Sequence, residues 1–298
     1  MITYIDDIKD IDDSQVINIP TDNVTPILTI KDLTVDLSSK QSGSYGTIIK
    51  DINLSLGSEV LALIGESGSG KSTLAKSIIG ILPSNMKTRA TAMHLSIKPH
   101  EPSVNLMEIQ SQKKARGQHI SMIMQDPKYA LNPALTLKKQ LELAYLGKLN
   151  HIEKQTYFND ILAQVGLNHT VLTQKPSALS GGMGQRFMIA LALLNKPKLI
   201  IADEPTSALD ADMKQHIMTL LIDRCKQHNI GLLLISHDLQ AVTQFADRIL
   251  IMKSGEIVDS GDRTTLQSSN HPYTRLLWSC RPSAKTYGKF LASTEQNQ

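Results

Sequence analysis

A glycine-rich stretch between two regular patterns constrains this chain more than any other feature. Residues 65–73 are GESGSGKST, which fits the pattern G-x-x-x-x-G-K-[ST]. The apolar run VLALIG before it predicts a buried strand, and after it Leu74, Ile78 and Leu82 recur at helical spacing until Pro83. A strand, a glycine loop and a helix in this order wrap backbone N–H groups and a positive helix end around an anion. The sequence therefore predicts a phosphate-binding loop.

The positions of this loop have different expected roles. Lys71 is expected to reach the β- and γ-phosphates of a nucleotide, Ser72 to hold Mg²⁺, and Thr73 to bond an α-phosphate oxygen. The remaining loop residues are expected to cradle the phosphates, and they are Gly65, Glu66, Ser67, Gly68, Ser69 and Gly70. The alternative is a flexible loop with a solvated lysine, which the spacing and the flanking strand and helix disfavour.

An acidic pair ends a second predicted buried strand. Residues 199–205 are LIIADEP, so Asp203 and Glu204 lie at the carboxyl end of the strand, where ligands bind in open α/β sheets. Asp203 is expected to orient Mg²⁺ through its water, and Glu204 to polarise an attacking water as a general base. Two acids that merely end a strand are the alternative, and the phosphate loop elsewhere in the chain disfavours it.

A third motif, LSGGMGQR at residues 179–186, opens a predicted helix with Ser180, Gly181 and Gly182. Small residues at a helix N-terminus leave room for an anion, whereas an ordinary serine cap would not require the paired glycines. With this motif the sequence resembles the ABC transporter ATPase family, whose LSGGQ-type signature other phosphate-loop ATPases lack. The resemblance implies that the motif contacts the γ-phosphate of ATP held by a second subunit.

The remaining elements of the family occur in order, and the resemblance covers about residues 27–282. It implies that Gln125, in MIMQDP, contacts Mg²⁺ or the attacking water, and that SALD at residues 207–210 lies at a dimer contact. It also implies that His237 bonds the γ-phosphate and positions Glu204. A single histidine after a strand is usually an ordinary residue, but its place in this order favours the functional role.

Tyr45 and two further segments extend the resemblance. The family carries an aromatic residue upstream of the phosphate loop that stacks on adenine, so Tyr45 is expected there; a surface loop residue is the alternative. QDPKYALNP at 125–133 and HPYTRLL at 271–277 resemble the peptide and nickel importer group. HPYTRLL also suits a helix end that simply packs on the domain. Some members of that group carry an iron–sulfur cluster on extra cysteines; Cys280 stands alone, so no cluster is predicted.

The predicted fold class is α/β: a P-loop ABC-ATPase core with a mixed, mainly parallel sheet and flanking helices, a β-rich N-terminal subdomain and an inserted helical subdomain. ILTIKDLTVDL alternates like a half-buried strand, whereas KLIIAD and IGLLLIS are continuous apolar runs typical of central parallel strands. The predicted domains are a loosely ordered acidic extension, the ATPase domain with its helical insertion, and a C-terminal segment; they span 1–26, 27–265 with about 128–185 inserted, and 266–298.

Composition bears on partners and location. The net charge of +3 over 298 residues, with both signs interspersed, argues against a nucleic-acid partner, and the two cysteines lack metal-ligand spacing. The start carries no signal pattern, and the apolar runs are shorter than the about 20 residues that span a membrane. We expect a peripheral protein on the cytoplasmic side of the inner membrane. The resemblance implies a second ABC ATPase subunit, two permease subunits and, indirectly, an extracytoplasmic solute-binding protein.

The resemblance implies that the chain hydrolyses ATP to ADP and phosphate to drive import. An ATPase of DNA repair or translation is the first rival, but a long coiled-coil insertion or a tandem second cassette is missing. A non-hydrolysing module is the second, and intact catalytic positions argue against it: Lys71, Gln125, Asp203, Glu204 and His237. Three questions stay open: whether the transporter exports instead of importing, whether the solute is a peptide, nickel or a metal chelate, and whether the partner ATPase is a copy or a paralogue.

Overall fold

The computed structural model describes residues 26–38, 45–207, 209–237 and 239–279. The strands of this described part are β1 (Leu28–Ser38), β2 (Tyr45–Leu56), β3 (Val60–Ile64), β4 (Met86–Arg89), β5 (Ala92–Leu95), β6 (Val104–Asn105), β7 (Ile120–Ile123), β8 (Leu199–Asp203), β9 (Gly231–Ser236), β10 (Arg248–Lys253) and β11 (Glu256–Gly261). Its helices are α1 (Lys71–Ile79), α2 (Ile109–Ala115), α3 (Pro127–Ala130), α4 (Leu137–Ala144), α5 (His151–Gln164), α6 (Gly181–Leu193), α7 (Ala211–Gln227), α8 (Leu239–Phe245), α9 (Arg263–Gln267) and α10 (Pro272–Ser279).

The strands form two sheets. In the described residues, an antiparallel sheet has the order β2-β1-β5-β6 with β4 also paired to β1, and a second sheet has the order β11-β10-β3-β9-β8-β7. All neighbours in the second sheet are parallel except β10 and β11, which form an antiparallel hairpin that turns at Ser254 and Gly255. The predicted α/β class, a mainly parallel sheet with flanking helices, is confirmed.

The parallel sheet is buried on both faces, as the continuous apolar runs predict. Every residue of β3 and β8 is buried, and alternate side chains enter two different clusters. Leu61 and Leu63 pack with α1 and the antiparallel sheet, whereas Ala62 and Ile64 pack with α6, α7 and the helices before them. Side chains of a strand alternate between faces, so one sheet organises both halves of the core.

Helices α3 to α6 and two 3-10 turns, His169–Thr173 and Pro176–Ala178, fill the chain between β7 and β8. Asn195 links this region to the sheet, because its amide donates to the carbonyls of Gly117 and Ala144, each at 2.8 Å. The predicted bounds of the helical insertion stay a prediction. Nowhere in the described residues is a helix long and apolar enough to cross a membrane.

The strand order brings three loops to one edge of the sheet. β9 lies between β3 and β8, and the register pairs Ile64 with Ser236 and Ile235 with Asp203. Because these strands are parallel, the residues after their carboxyl ends lie side by side, as ligand-binding loops do in such sheets. These residues are the phosphate loop, Glu204 and His237.

Candidate functional site

Lys71 is the buried cation of the phosphate loop. Its side chain folds back onto the loop and donates to the carbonyl oxygens of Gly65 at 2.8 Å and Glu66 at 2.7 Å. Burial lowers the pKa of the Lys71 ammonium, whereas the carboxylates of Glu204, Asp203 and Glu66 raise it. In this arrangement backbone carbonyls supply the acceptors that the predicted β- and γ-phosphates would replace.

The loop is tight because glycine occupies its closest contacts. A Cβ on Gly65 would lie 2.1 Å from the carbonyl oxygen of Met252, so only glycine fits against β10. Gly70 precedes α1 with φ of 106°, in the left-handed region that glycine adopts without steric cost. It offers no side chain to cap α1, which leaves the N-terminal end of that helix to an anion. Gly68 and Ser67 are exposed and complete the rim.

Ser72 and Asp203 form a pair of oxygen donors beside the loop. The Ser72 hydroxyl donates to Asp203 Oδ1 at 3.1 Å, across 131 positions of sequence. Burial raises the pKa of Asp203, and the bond from Ser72 opposes that shift. Thr73, the next residue of α1, is partly buried. A hydroxyl and a carboxylate are hard oxygen ligands of the kind that Mg²⁺ prefers.

The Glu204 carboxylate is held from two sides. His237 Nδ1 lies 2.9 Å from Oε1, and the Gln125 side-chain amide donates to Oε2 at 3.1 Å. Because an ionised carboxylate only accepts hydrogen bonds, Nδ1 of His237 is the donor in this pair. Glu204 also has φ of 48°, an uncommon conformation that clusters at functional sites. Loops after β7, β8 and β9 thus meet at one carboxylate.

A small pocket lies beside Glu204. Its volume is about 30 Å³, and its walls include Glu204, Ser207, Ser236 and His237. This volume is enough for an ordered water with several polar partners. The rest of its lining comes mainly from the side of α7 and β9, including Lys214, Met218 and Leu234, and not from the phosphate loop.

The LSGGMGQR motif begins α6 as predicted. The Ser180 hydroxyl accepts from the N–H of Met183 at 3.3 Å, and Ser180 and Gly181 are exposed. Gly182 is buried, and a Cβ there would lie 3.0 Å from Met213 Sδ. Within the described part of the chain, no hydrogen bond joins this motif to the phosphate loop or to Glu204. The structure thus separates these three predicted site residues from the others.

Some predictions fall where the structure gives no side chain. Tyr45 begins β2, but its side chain, Ala208 of the SALD motif and Cys280 lie outside the described residues. No group of three or more histidine, cysteine or acidic side chains able to hold a metal occurs in the described ranges.

Sequence reasoning missed three supports of the loop and its helix. The hydroxyl of Tyr273, within HPYTRLL, accepts from the N–H of Glu66 at 3.1 Å. Gln112 of α2 and Arg116, which follows that helix, donate to the carbonyls of Ile78 and Gly80 at the C-terminal end of α1, and so satisfy a helix end. The four-residue spacing of Gln112 and Arg116 indicates two donors on one side of the chain, but it does not predict which groups they contact.

A phosphate loop, an acidic strand end and a capped glycine motif on this sheet define the class of P-loop nucleotide hydrolases. Comparisons specify the family. Residues 49–207 match the family described as ABC transporter. The oligopeptide transport ATP-binding protein OppD of Lactococcus lactis subsp. cremoris is 40% identical over 258 residues, 85% of this chain and 75% of that protein.

A second relative and one solved structure support the same family. The metal-staphylopine import system ATP-binding protein CntD of Staphylococcus aureus is 37% identical over 270 residues, 88% of this chain and 96% of that protein. The dimeric ATP-binding cassette MJ0796, in a post-hydrolysis state with ADP and phosphate, superposes with a TM-score of 0.65 at 28% identity, over 79% of this chain and 98% of that one. The chain belongs to the ABC transporter family and is an ATP-binding and ATP-hydrolysing subunit.

Proposed function

We propose that Glu204 is the general base of ATP hydrolysis and that the phosphate loop holds the substrate. The observation that carries this assignment is the Glu204 carboxylate fixed between His237 and Gln125, 2.9 and 3.1 Å away, at the sheet edge that also carries the phosphate loop. Glu204 accepts a proton from water as the water oxygen bonds to the γ-phosphorus. The bond from that phosphorus to the bridging oxygen breaks, and ADP and phosphate leave.

The other residues bind and orient. Lys71 exchanges its bonds to the carbonyls of Gly65 and Glu66 for phosphate oxygens, and the backbone of residues 65–73 surrounds them. Ser72 and Asp203 suit Mg²⁺ as hard oxygen donors, already 3.1 Å apart. The ion supplies charge neutralisation on the phosphates when bound. His237 keeps the Glu204 carboxylate oriented, and Tyr45 stays the proposed adenine platform.

The site is completed by a second ATPase subunit. Ser180 and Gly181 are exposed at a helix N-terminus, with Gly182 buried behind them, and this motif has no hydrogen bond to the chain's own phosphate loop in the described residues. A partner's ATP is the anion that this geometry suits, and two such chains, identical or paralogous, sandwich two nucleotides. The dimeric form of a solved relative supports this arrangement.

The proposed transport role is import of a short peptide or a metal chelate through two permease subunits at the cytoplasmic face of the membrane. The names of OppD and CntD, together with the QDPKYALNP and HPYTRLL segments, support this solute class. A solute-binding protein outside the membrane would deliver the solute. The permeases, not this chain, would contact it.

Uptake in cells tests the role. Cells without the chain should lose uptake of a labelled short peptide, or of nickel or its chelate, and the wild-type gene should restore it. A Glu204→Gln gene, expressed at the same level, should not. If uptake of all three is unchanged while efflux of another compound falls, the import assignment is wrong, although the ATPase assignment stands.

A further inference from the structure

Two hydrogen bonds tie the backbone of the phosphate loop to the C-terminal third of the described chain. The N–H of Gly255 donates to the carbonyl oxygen of Ser69 at 3.0 Å. The N–H of Glu66 donates to the Tyr273 hydroxyl at 3.1 Å, across 207 positions. The first bond comes from the β10–β11 turn next to the loop. The second comes from a side chain on a separate helix, so it can be removed without changing the backbone.

The Tyr273 ring has little freedom to move. It is 4% exposed, and the Lys253 ammonium lies 4.9 Å from the ring centroid. The hydroxyls of Thr274 and Ser269 both donate to Asp259 Oδ2, at 2.6 and 2.5 Å, which fixes the start of α10 to β11. The Tyr273 oxygen is therefore held in place by contacts that do not involve the loop.

Both backbone polar groups of Glu66 are hydrogen-bonded. Its N–H donates to Tyr273, and its carbonyl accepts from Lys71 at 2.7 Å. When Lys71 turns to a phosphate, the bond from the lysine to this carbonyl is lost. The bond to Tyr273 then keeps the first peptide of the loop in position. Burial raises the pKa of Tyr273 to about 12, with the bond from the Glu66 N–H opposing the shift and the Glu66 carboxylate adding to it, so the hydroxyl is neutral near pH 7.

We propose that Tyr273 is a positioning residue for nucleotide binding, which acts through the Glu66 N–H on the shape of the phosphate loop. The HPYTRLL segment thereby has a role in ATP affinity, beyond packing on the domain. This inference rests on the proposed function, because it requires that residues 65–73 bind the nucleotide phosphates. The loop binds the phosphates in both the ground state and the transition state. Loss of the Tyr273 hydrogen bond should therefore change nucleotide affinity and KM, but not kcat.

The test compares two hydroxyl deletions in the full chain. Tyr273→Phe keeps the ring and leaves the Glu66 N–H without its acceptor. Tyr157→Phe is the matched control, because the Tyr157 hydroxyl also makes one backbone bond, to the carbonyl of Leu194 at 2.6 Å, in the helical region. ADP is the calorimetric probe, since it carries the β-phosphate and is not hydrolysed; ATP turnover of the assembled transporter gives KM and kcat.

Tyr273→Phe should raise the ADP dissociation constant and the KM for ATP about 2- to 10-fold, the range of one hydrogen bond, with kcat within about twofold. Tyr157→Phe should lower the melting temperature but leave ADP affinity unchanged. Equal affinity for wild type and Tyr273→Phe, or equal losses in both variants, would overturn the proposal. Failure of the proposed function is a separate result: wild type would not bind ADP, or Lys71→Ala would bind it equally well.

Discussion

The phosphate loop and the LSGGMGQR turn are both helix N-termini built from small residues, yet the protein supports them differently. The loop before α1 has no side-chain cap and is held by other elements: the β10–β11 turn through Gly255 and α10 through Tyr273. The turn before α6 is capped by its own Ser180, which is exposed. The phosphate loop is supported from within the fold, whereas Ser180 and Gly181 are presented outward.

This difference indicates how ATP use is divided. At the loop, Lys71 already contacts backbone carbonyls, and Ser72, Asp203 and Glu204 converge from neighbouring strands. In the proposed function, a single chain therefore supplies the groups that bind ATP and the general base of hydrolysis. Ser180 and Gly181 are exposed at the start of α6, so in the proposed function they contact the ATP held by a second chain. The comparison holds only if substitutions beside the phosphate loop and at the start of α6 change ATP turnover in different ways.

The largest expected effect comes from Glu204, which lies on the same sheet edge as the phosphate loop. Glu204→Gln keeps the size of the side chain and its bonds to His237 and Gln125 in altered form, but removes the base. Turnover should fall by about a hundredfold or more, the usual contribution of a general base, while ATP affinity stays close to wild type. Single-turnover hydrolysis and ATP binding measure the two separately. Glu101→Gln, the same change at an exposed carboxylate that pairs with Lys98, is the control, and near-normal turnover in Glu204→Gln would remove Glu204 from the role.

Short-range patterns predicted the elements on which this site is built. The continuous apolar runs of β3, β8 and β9 are typical of central parallel strands, so their burial in a parallel sheet was predicted, whereas the order β3-β9-β8 was not. The helix start at Ser180 also followed, because a serine before two glycines caps a helix without filling its end.

The contacts that support the site could not be predicted in the same way. Tyr273 and Glu66 are 207 positions apart, and no periodicity specifies which distant donor a tyrosine oxygen meets. Gln125 and Glu204, 79 positions apart, were associated only through the resemblance to a family. Patterns report which face of an element is buried, whereas side-chain pairs depend on how the elements pack, which only the structure gives.

An intermediate effect is expected from Ser180→Arg, which fills the exposed turn. In mixed dimers, Ser180→Arg on one subunit should reduce turnover about tenfold or more at the partner's loop, because transition-state donors are lost there. Combining Ser180→Arg with Lys71→Ala distinguishes the two nucleotide sites. With both changes on the same subunit, Lys71→Ala damages that subunit's own site and Ser180→Arg damages the partner's site. With one change on each subunit, both changes fall on the same site and the other site stays intact. Ser268→Arg, at another exposed serine, is the control. Equal loss in both arrangements would mean that the sites are not shared between chains.

The smallest expected effect is on the stability of the isolated chain. Ser180→Ala removes the cap of α6 and should lower the free energy of unfolding by about 1 kcal/mol, the usual cost of a lost N-cap. Asp210→Ala is the matched variant, because Asp210 caps α7 with a 2.9 Å bond to the Met213 N–H and should cost a similar amount. Urea unfolding without nucleotide measures both. If the turn at 180–182 is held only by its own cap, the two losses agree; a Ser180→Ala loss several times larger would mean that other parts of the chain support the turn, and the contrast with the phosphate loop would then be wrong. Agreement would mean instead that the turn has little support beyond its own cap, as the contrast with the phosphate loop requires.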